Sequence, residues 1–277
     1  MKFTVLGGRG FIGSHLAEYL RGRGHDVWVP ARDASEAAGQ KMGHVIYAIG
    51  LTGDFRSRPF DTIEANVGTL ARLMHDADFD SWLYISSTRL YGIGAGRPPC
   101  REDDPISLLP CADSLYDASK LLGETLCLSR PQKTIRIVRL SNVYGAGQSR
   151  HTFLGAILAD LKDKREVMIR ESTQSSKDYI ALSDVLPLLE SIALHGRERI
   201  YNMASGVLLS HGELASRLGE LTALPLRFKD GAPERVFPRI DISRIVQEFS
   251  FAPAHLVSDL ENLLYNSGIS VRGNRKT

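Results

Sequence analysis

The sequence predicts an α/β fold built on a doubly wound parallel sheet, and three observations carry that reading. Short apolar runs alternate with helix-periodic segments through the first half of the chain, the pattern of right-handed βαβ crossovers. A glycine-rich segment follows the first apolar run at once. The run at 44–49 is dominated by apolar residues, as in a central strand buried on both faces.

The elements follow in order. Residues 2–6 form the first strand, and after the glycines residues 11–21 form a helix with Ile12, Leu16 and Leu20 on one face. Strands are expected at 26–31 and 44–49, and a helix at 62–75 through Ile63, Val67, Leu70 and Met74. A strand at 81–86, a helix at 114–128 and a strand at 134–140 complete the alternating part. After about residue 145 the pattern changes. Helices are expected near 152–163, 183–194 and 211–221, and a strand near 199–202. Residues 170–177 read as a polar, exposed loop, 225–228 as a strand and 255–266 as a closing helix. No internal repeat or low-complexity tract interrupts the chain, and the basic tail at 271–277 is expected to fray.

Bulk properties narrow the function classes. A chain of 277 residues suits one α/β domain with an appendage, or two small domains, and buries roughly three quarters of its unfolded surface. Apolar residues make up 43%, charged residues 24%, and the net charge is +2, which implies neither nucleic-acid nor membrane binding. No apolar run approaches the ~20 residues of a membrane span. The chain enters its first strand without a charged leader, so no signal peptide is expected. Cys100, Cys111 and Cys127 lack metal-ligand spacing and read as reduced thiols of a cytoplasmic protein.

Gly7, Gly10 and Gly13, with Gly8 beside them, form a GxxGxxG loop between a strand and a helix, the context that a dinucleotide site requires. Without a Cβ the backbone approaches a pyrophosphate closely, and the helix start offers free N–H groups. At the end of the second strand an acidic residue would hold an NAD ribose. Here Ala31 and Arg32 stand there, followed by Asp33. Arg32, with Arg9 in the loop, suits a 2′-phosphate, so NADP(H) is favoured while NAD(H) stays open.

Tyr116 and Lys120 lie one helical turn apart and share a face. A free phenol ionises near pH 10; a neighbouring ammonium is expected to lower that value and make Tyr116 a general acid or base. A hydroxyl donor is wanted on the same substrate oxygen. Ser86 and Ser87 end the 81–86 strand, where open α/β sheets bind ligands. Glycine loop and Tyr/Lys pair together point to hydride transfer at a carbonyl or carbinol.

These motifs resemble those of the extended short-chain dehydrogenase/reductases of the NAD-dependent epimerase/dehydratase type, over roughly residues 2–265. Gly-Gly-Arg-Gly-Phe-Ile-Gly at 7–13 resembles the family's cofactor loop, and Tyr47-Ala48-Ile49-Gly50 with Asn66-Val67-Gly68-Thr69 its next landmarks. Ser86-Ser87-Thr88-Arg89-Leu90-Tyr91-Gly92 resembles the serine/threonine motif, and counting back from Tyr91-Gly92 assigns the catalytic hydroxyl to Ser87. Tyr116-Asp117-Ala118-Ser119-Lys120 matches the catalytic helix. Arg139 to Gly145, Lys177-Asp178-Tyr179-Ile180 with Asp184, and Tyr201-Asn202 match later segments, lysine replacing the usual arginine at 177.

The resemblance implies a Rossmann-type domain, 1–145 plus about 178–202, that binds the cofactor. A smaller substrate-binding subdomain is implied at about 146–177 and 203–277. It implies contacts to the cofactor from Gly7, Arg9, Gly10, Phe11, Ile12, Gly13, Arg32, Ala48, Asn66, Tyr116 and Lys120. It implies a nucleotide-activated sugar as substrate, touched by Thr88, Arg89, Asn142 and Lys177. It also implies a homodimer formed through helices at 58–76 and 113–129.

Two departures matter. Only residues 33–43 separate the second and third strands, so a strand of the family's sheet is expected to be missing or shrunken. Thr88 and Arg89 stand where the 4,6-dehydratases carry Asp-Glu, which argues against water elimination. The favoured activity is NADPH-dependent reduction of a nucleotide-linked 4-keto sugar. NAD-dependent 4-epimerisation, reduction of a small aldehyde or ketone, and a non-catalytic NADP-binding sensor are the alternatives. His151, Arg150 and Arg235 are weaker candidates for contacts to substrate or its diphosphate.

Overall fold

The computed structural model describes residues 1–31, 34–37, 39–51, 53–94 and 98–272. Arg32 and Asp33, expected beside the adenosine, lie outside these residues, as does most of the basic tail. The chain runs β1 (Lys2–Leu6), α1 (Phe11–Gly22), β2 (Asp26–Trp28), β3 (His44–Tyr47), α2 (Pro59–Ile63), α3 (Thr69–His75), β4 (Ser81–Ser87), α4 (Leu115–Ser129) and β5 (Ile135–Leu140). It continues through β6 (Asn142–Tyr144), α5 (Phe153–Asp163), β7 (Val167–Ile169), β8 (Ser176–Ala181), α6 (Leu182–His195) and β9 (Ile200–Met203). It closes with β10 (Leu208–Ser210), α7 (His211–Thr222), β11 (Leu226–Phe228), α8 (Ser243–Phe249) and α9 (Leu256–Asn266).

Six parallel strands form the main sheet in the order β2-β1-β3-β4-β5-β9. Successive side chains of a strand point to opposite faces, and here both faces are apolar. Phe3, Val5, Ile46, Leu83 and Ile85 pack with α1 and α6 through Leu16, Leu20, Val185 and Leu189. Leu6, Val45, Tyr47, Trp82 and Tyr84 face the other way, onto Leu70 and Met74 of α3 and Cys127 of α4. The chain leaves β1 outward to β2 and returns past it to β3. That reversal opens a crevice at the carboxyl ends of the strands.

Beyond β5 a second core forms from α5, α7 and α9, including Leu158, Leu161, Leu214, Leu218, Leu260 and Leu264. It rests on two small sheets: β10-β8-β6, with β8 parallel to β6 and antiparallel to β10, and the parallel pair β11-β7.

Several expectations need correction. The strand expected at 26–31 stops at Trp28, because Pro30 lacks the N–H that would continue it. β2 is the edge of the sheet. The helix expected at 62–75 starts earlier, with Pro59 in its first turn where proline suits the free N–H positions, and a π-helical turn at Glu64–Gly68 interrupts it. Residues 170–177 are not an exposed loop throughout: Ser175, Ser176 and Lys177 are buried. Their polar groups find partners. Ser175 Oγ accepts the Arg235 N–H at 2.9 Å, and Lys177 Nζ donates to Glu171 at 2.6 Å, which is what burial of polar groups requires. β6, β7, β8, β10 and α8 had no counterpart in the sequence reading. No helix among the described residues is long and apolar enough to cross a membrane.

Candidate active site

A cleft of about 450 Å³ lies at the carboxyl ends of β1, β3, β4 and β5. Gly10 to Gly13, Ala48 to Gly50, Ser86 to Arg89 and Leu140 to Val143 line it from the sheet, with Tyr116 and Lys120 from α4. The opposite wall includes Phe153, Glu171, Lys177, Arg235 and Phe237.

The glycine loop is built by close backbone contact. Gly7 holds φ +86°, and a Cβ there would sit 2.7 Å from the Ala48 carbonyl carbon. A Cβ on Gly13 would strike Gly7 O, so the start of α1 can press onto the loop only as glycine. The Gly10 N–H donates to Gly7 O at 2.9 Å. No side chain caps α1, and its first turn carries no acidic residue. The helix therefore presents uncompensated N–H groups to the cleft, a setting for an anion.

Tyr116 is 5% exposed, and burial is the main force raising its phenol to about 12, against a hydrogen bond with Ser87 and the Arg89 charge. This corrects the expectation of a phenol made more acidic by Lys120. The Lys120 ammonium turns instead to Ile85 O, which it approaches to 2.9 Å, and burial lowers it to about 8. The Arg89 guanidinium carbon stands 5.6 Å from the Tyr116 ring centre. Its Nε donates to Asp117 at 2.8 Å and its Nη2 to Asp113 O at 3.3 Å. Ser87 Oγ accepts the Arg89 N–H at 3.2 Å and starts the short turn Thr88–Tyr91. Beneath that turn Arg139 ion-pairs with Glu124 at 2.8 Å and donates to Tyr91 at 2.9 Å.

The fold brings most of the expected residues together: Gly10, Phe11, Ile12, Gly13, Ala48, Ser87, Thr88, Arg89, Tyr116, Lys120, Asn142 and Lys177 line one cleft, as do His151 and Arg235. Gly7 sits behind the loop against Ala48. Arg9 is exposed at the loop and outside the lining. Arg150 is also outside it, ion-paired with Asp163 at 2.9 Å. Asn66 borders the cleft: its Nδ2 donates to Ser119 at 2.9 Å, and its Oδ1 lies 3.0 Å from where a Gly50 Cβ would stand.

Other groups were not foreseen. Phe55 lies 5.5 Å from the Tyr116 ring, and Arg56 beside it also lines the cleft. Phe153 stacks on His211 at 3.9 Å, and Lys177 Nζ stands 4.3 Å from the Phe153 ring centre. Burial and the Lys177 charge lower His211 to about 4. The Glu36 carboxylate accepts the Ala31 N–H just past β2. None of these carries a local motif. They come from separate elements and loops, and only the chain path assembles them.

Three sets of polar atoms at the cleft are buried without a protein partner: Asn66 Oδ1, Ser86 Oγ and both amide atoms of Gln148. Buried polar atoms left so are uncommon and mark places for a ligand to bond. A dinucleotide fits this arrangement, with free backbone N–H groups at one end and a phenol, a hydroxyl and an ammonium at the other.

Fold and cleft together define a nicotinamide-dependent enzyme on a doubly wound sheet. Residues 3–204 match the NAD dependent epimerase/dehydratase family, and the chain belongs to it. Among its relatives, dTDP-4-dehydro-6-deoxy-D-allose reductase of Streptomyces sp is 24% identical, with 93% of each chain covered. The structure of MoeE5 in complex with UDP-glucose and NAD is 24% identical and superposes with a TM-score of 0.83 over 97% of this chain and 99% of the other. That of RMD from Pseudomonas aeruginosa complexed with NADPH is 23% identical, with a TM-score of 0.81 over 96% and 98%.

Proposed function

We propose that the protein is an NADPH-dependent reductase of a 4-keto sugar carried on a nucleoside diphosphate. The observation that carries this reading is the Tyr116 phenol, buried in the same cleft as the glycine loop, Ser87 and Lys120. A bound reduced nicotinamide supplies the hydride. Tyr116 gives its phenolic proton to the substrate oxygen, and the Ser87 hydroxyl holds that oxygen by a hydrogen bond. Lys120 and Asn66 hold the cofactor from the α4 side, and Gly10 to Gly13 take its pyrophosphate. Arg235, on the wall of the cleft facing the sheet, suits a substrate diphosphate, with Lys177, Asn142, Thr88 and Arg89 around the sugar. In this reading residues 1–145 and about 178–202 carry the cofactor, and about 146–177 with 203–277 the sugar nucleotide.

Similarity to a dTDP-4-dehydro-6-deoxy-hexose reductase over nearly the whole chain supports the substrate class. Arg9 and Arg32 favour NADP(H), whereas Glu36 is a carboxylate on the side that would suit NAD(H). Comparing dissociation constants for the two reduced cofactors tests this preference; tighter NADH binding removes it. Incubation with 4-deuterated NADPH and a dTDP-4-keto-6-deoxy sugar tests the reaction. Deuterium is expected in the product, and Tyr116→Phe is expected to lose roughly 100- to 10,000-fold in turnover while still binding cofactor. A protein that scrambles C4 without external deuterium is an epimerase, the second reading. We also propose a cytoplasmic homodimer. Exposed Phe60 and Ile63 on α2 and Leu122 and Leu128 on α4 support pairing of these helices, and sedimentation at micromolar concentration tests it.

A further inference from the structure

We propose that the Gln148 carboxamide is a cofactor-binding group, its nitrogen donating to the pyrophosphate and its oxygen accepting from an adjoining ribose hydroxyl. The inference rests on the cleft being a dinucleotide site. It adds to that site a side chain that neither the glycine loop nor the Tyr/Lys spacing points to.

Gln148 belongs to the segment 145–152 that joins β6 to α5. At one end this segment packs on the first two turns of α1. A Cβ on Gly145 would stand 3.5 Å from Phe11 Cζ, and one on Gly147 3.9 Å from His15 Cε1. At the other end a Cβ on Gly53 would overlap His151, so the segment reaches the loop after β3. It thus spans the cleft from the start of α1 to the end of β3. Gln148, Ser149, His151 and Thr152 line that cleft together with Gly10 to Gly13. Local bonds fix the backbone of the segment. The Gln148 N–H donates to Gly145 O at 3.3 Å, and the Thr152 N–H and hydroxyl donate to Ser149 O at 3.1 and 2.9 Å.

The side chain makes no such bond. Gln148 Nε2 and Oε1 are both buried without a partner, an arrangement that costs stability until a ligand answers it. An amide offers donors on its nitrogen and an acceptor on its oxygen, so the ligand that fits it brings an acceptor and a donor side by side. The start of α1 already turns uncompensated N–H groups toward an anion, and phosphate oxygens are acceptors. Ribose hydroxyls flank the pyrophosphate of a dinucleotide and supply the donor. Gly10 to Gly13, Gln148 and Ser149 carry no charge, so this end of the cleft holds its anion with neutral donors from two sides. The other unpartnered atoms serve the opposite end: Asn66 Oδ1 stands toward Gly50 and Lys120, and Ser86 Oγ at the end of β4.

The test reads binding and thermal unfolding, not turnover, so it is separate from the substrate class. Two probes are titrated by calorimetry. One is the reduced cofactor that the wild type binds more tightly, NADPH or NADH. The other is the matching ADP-ribose, with or without its 2′-phosphate, which keeps the pyrophosphate and both riboses but lacks nicotinamide. Gln148→Leu is expected to weaken both probes by roughly tenfold, with Gln148→Met serving if it does not fold. Gln148→Glu, whose carboxylate would face the phosphates, is expected to weaken both further. Because the amide bonds nothing in the protein, unliganded Gln148→Leu should unfold at no lower temperature than wild type, while its midpoint rises less on adding cofactor. Unchanged affinity in Gln148→Leu overturns the proposal, whether or not its unliganded midpoint falls. So does a loss confined to the reduced cofactor, which would put the amide at the nicotinamide. Wild-type protein that binds neither probe removes the dinucleotide reading itself, and this inference with it.

Discussion

The six-stranded sheet and the small-sheet region beyond β5 hold the two walls of one cleft by different means. On the sheet side the wall is made mainly of backbone: strand ends, a glycine loop, and the start of α1. Its supports are apolar layers that alternate between two cores. On the other side the wall is set by buried polar side chains. Lys177, Glu171 and His211 stand among Phe153 and Phe237, and Asp178 ties Ser141 to Ser205. Backbone geometry survives changes of pH, whereas a buried titratable cluster does not. The difference predicts which wall fails first, and under what stress.

The largest effect tests the exception on the sheet side. Arg139 and Glu124 are a charged pair at 4% and 0% side-chain exposure. Arg139→Met strands the carboxylate and is expected to cost about 3–5 kcal/mol in urea unfolding. If Glu124→Met added to Arg139→Met recovers most of that loss, the cost lay in the stranded charge rather than in packing.

Acid should strike the other wall. The folded value of His211 is about 4 against 6.5 for the free side chain, so between these values the unfolded chain binds more protons. Stability therefore falls as pH drops through that window, by up to about 3 kcal/mol. His211→Gln should flatten the dependence of the urea midpoint on pH between about 6.5 and about 4. A midpoint curve unchanged by the substitution would mean that the acid lability lies elsewhere.

A smaller change separates stability from function on the sheet side. Burial lowers Lys120 from 10.5 to about 8, so at neutral pH its charge is held at a cost. Lys120→Met removes that cost but strands Ile85 O, for a net gain on the order of 1 kcal/mol. Over the same range, from about 8 to 10.5, wild-type stability should rise with pH while the variant's stays flat. Cofactor affinity should fall in the same protein, measured by fluorescence titration with NADPH. The smallest effect is Arg150→Ala. Its exposed pair with Asp163 should be worth less than about 0.5 kcal/mol in thermal unfolding.

The two regions also differed in how far they could be read from the sequence. The main strands and helices of the sheet were legible because each is long or apolar enough to show its own period, and because glycine and proline mark their ends. β6, β7 and β10 are three residues each, too short to show any period. The start of β8 reads as part of a polar loop because it opens on Ser176 and Lys177, followed by Asp178. Their burial depends on Ser141, Ser205 and His211, which no local window contains. At the site, Tyr116, Lys120 and the glycines announced themselves by spacing. Phe55, Phe237 and Glu36 carried no such signal.

The amino-acid order alone determined the strand–helix alternation, the parallel sheet, the glycine loop and the shared face of Tyr116 and Lys120, since each follows from short-range periodicity and sterics. Tertiary structure decided which side chains from other elements surround the phenol. A helical turn lets Lys120 share a face with Tyr116, and only the fold brings Ile85 O of β4 within reach of its ammonium. Arg89 arrives from the turn after β4, where Asp117 and Asp113 O hold it against the Tyr116 and Phe55 rings, an arrangement that depends on distances in space that the sequence does not encode locally.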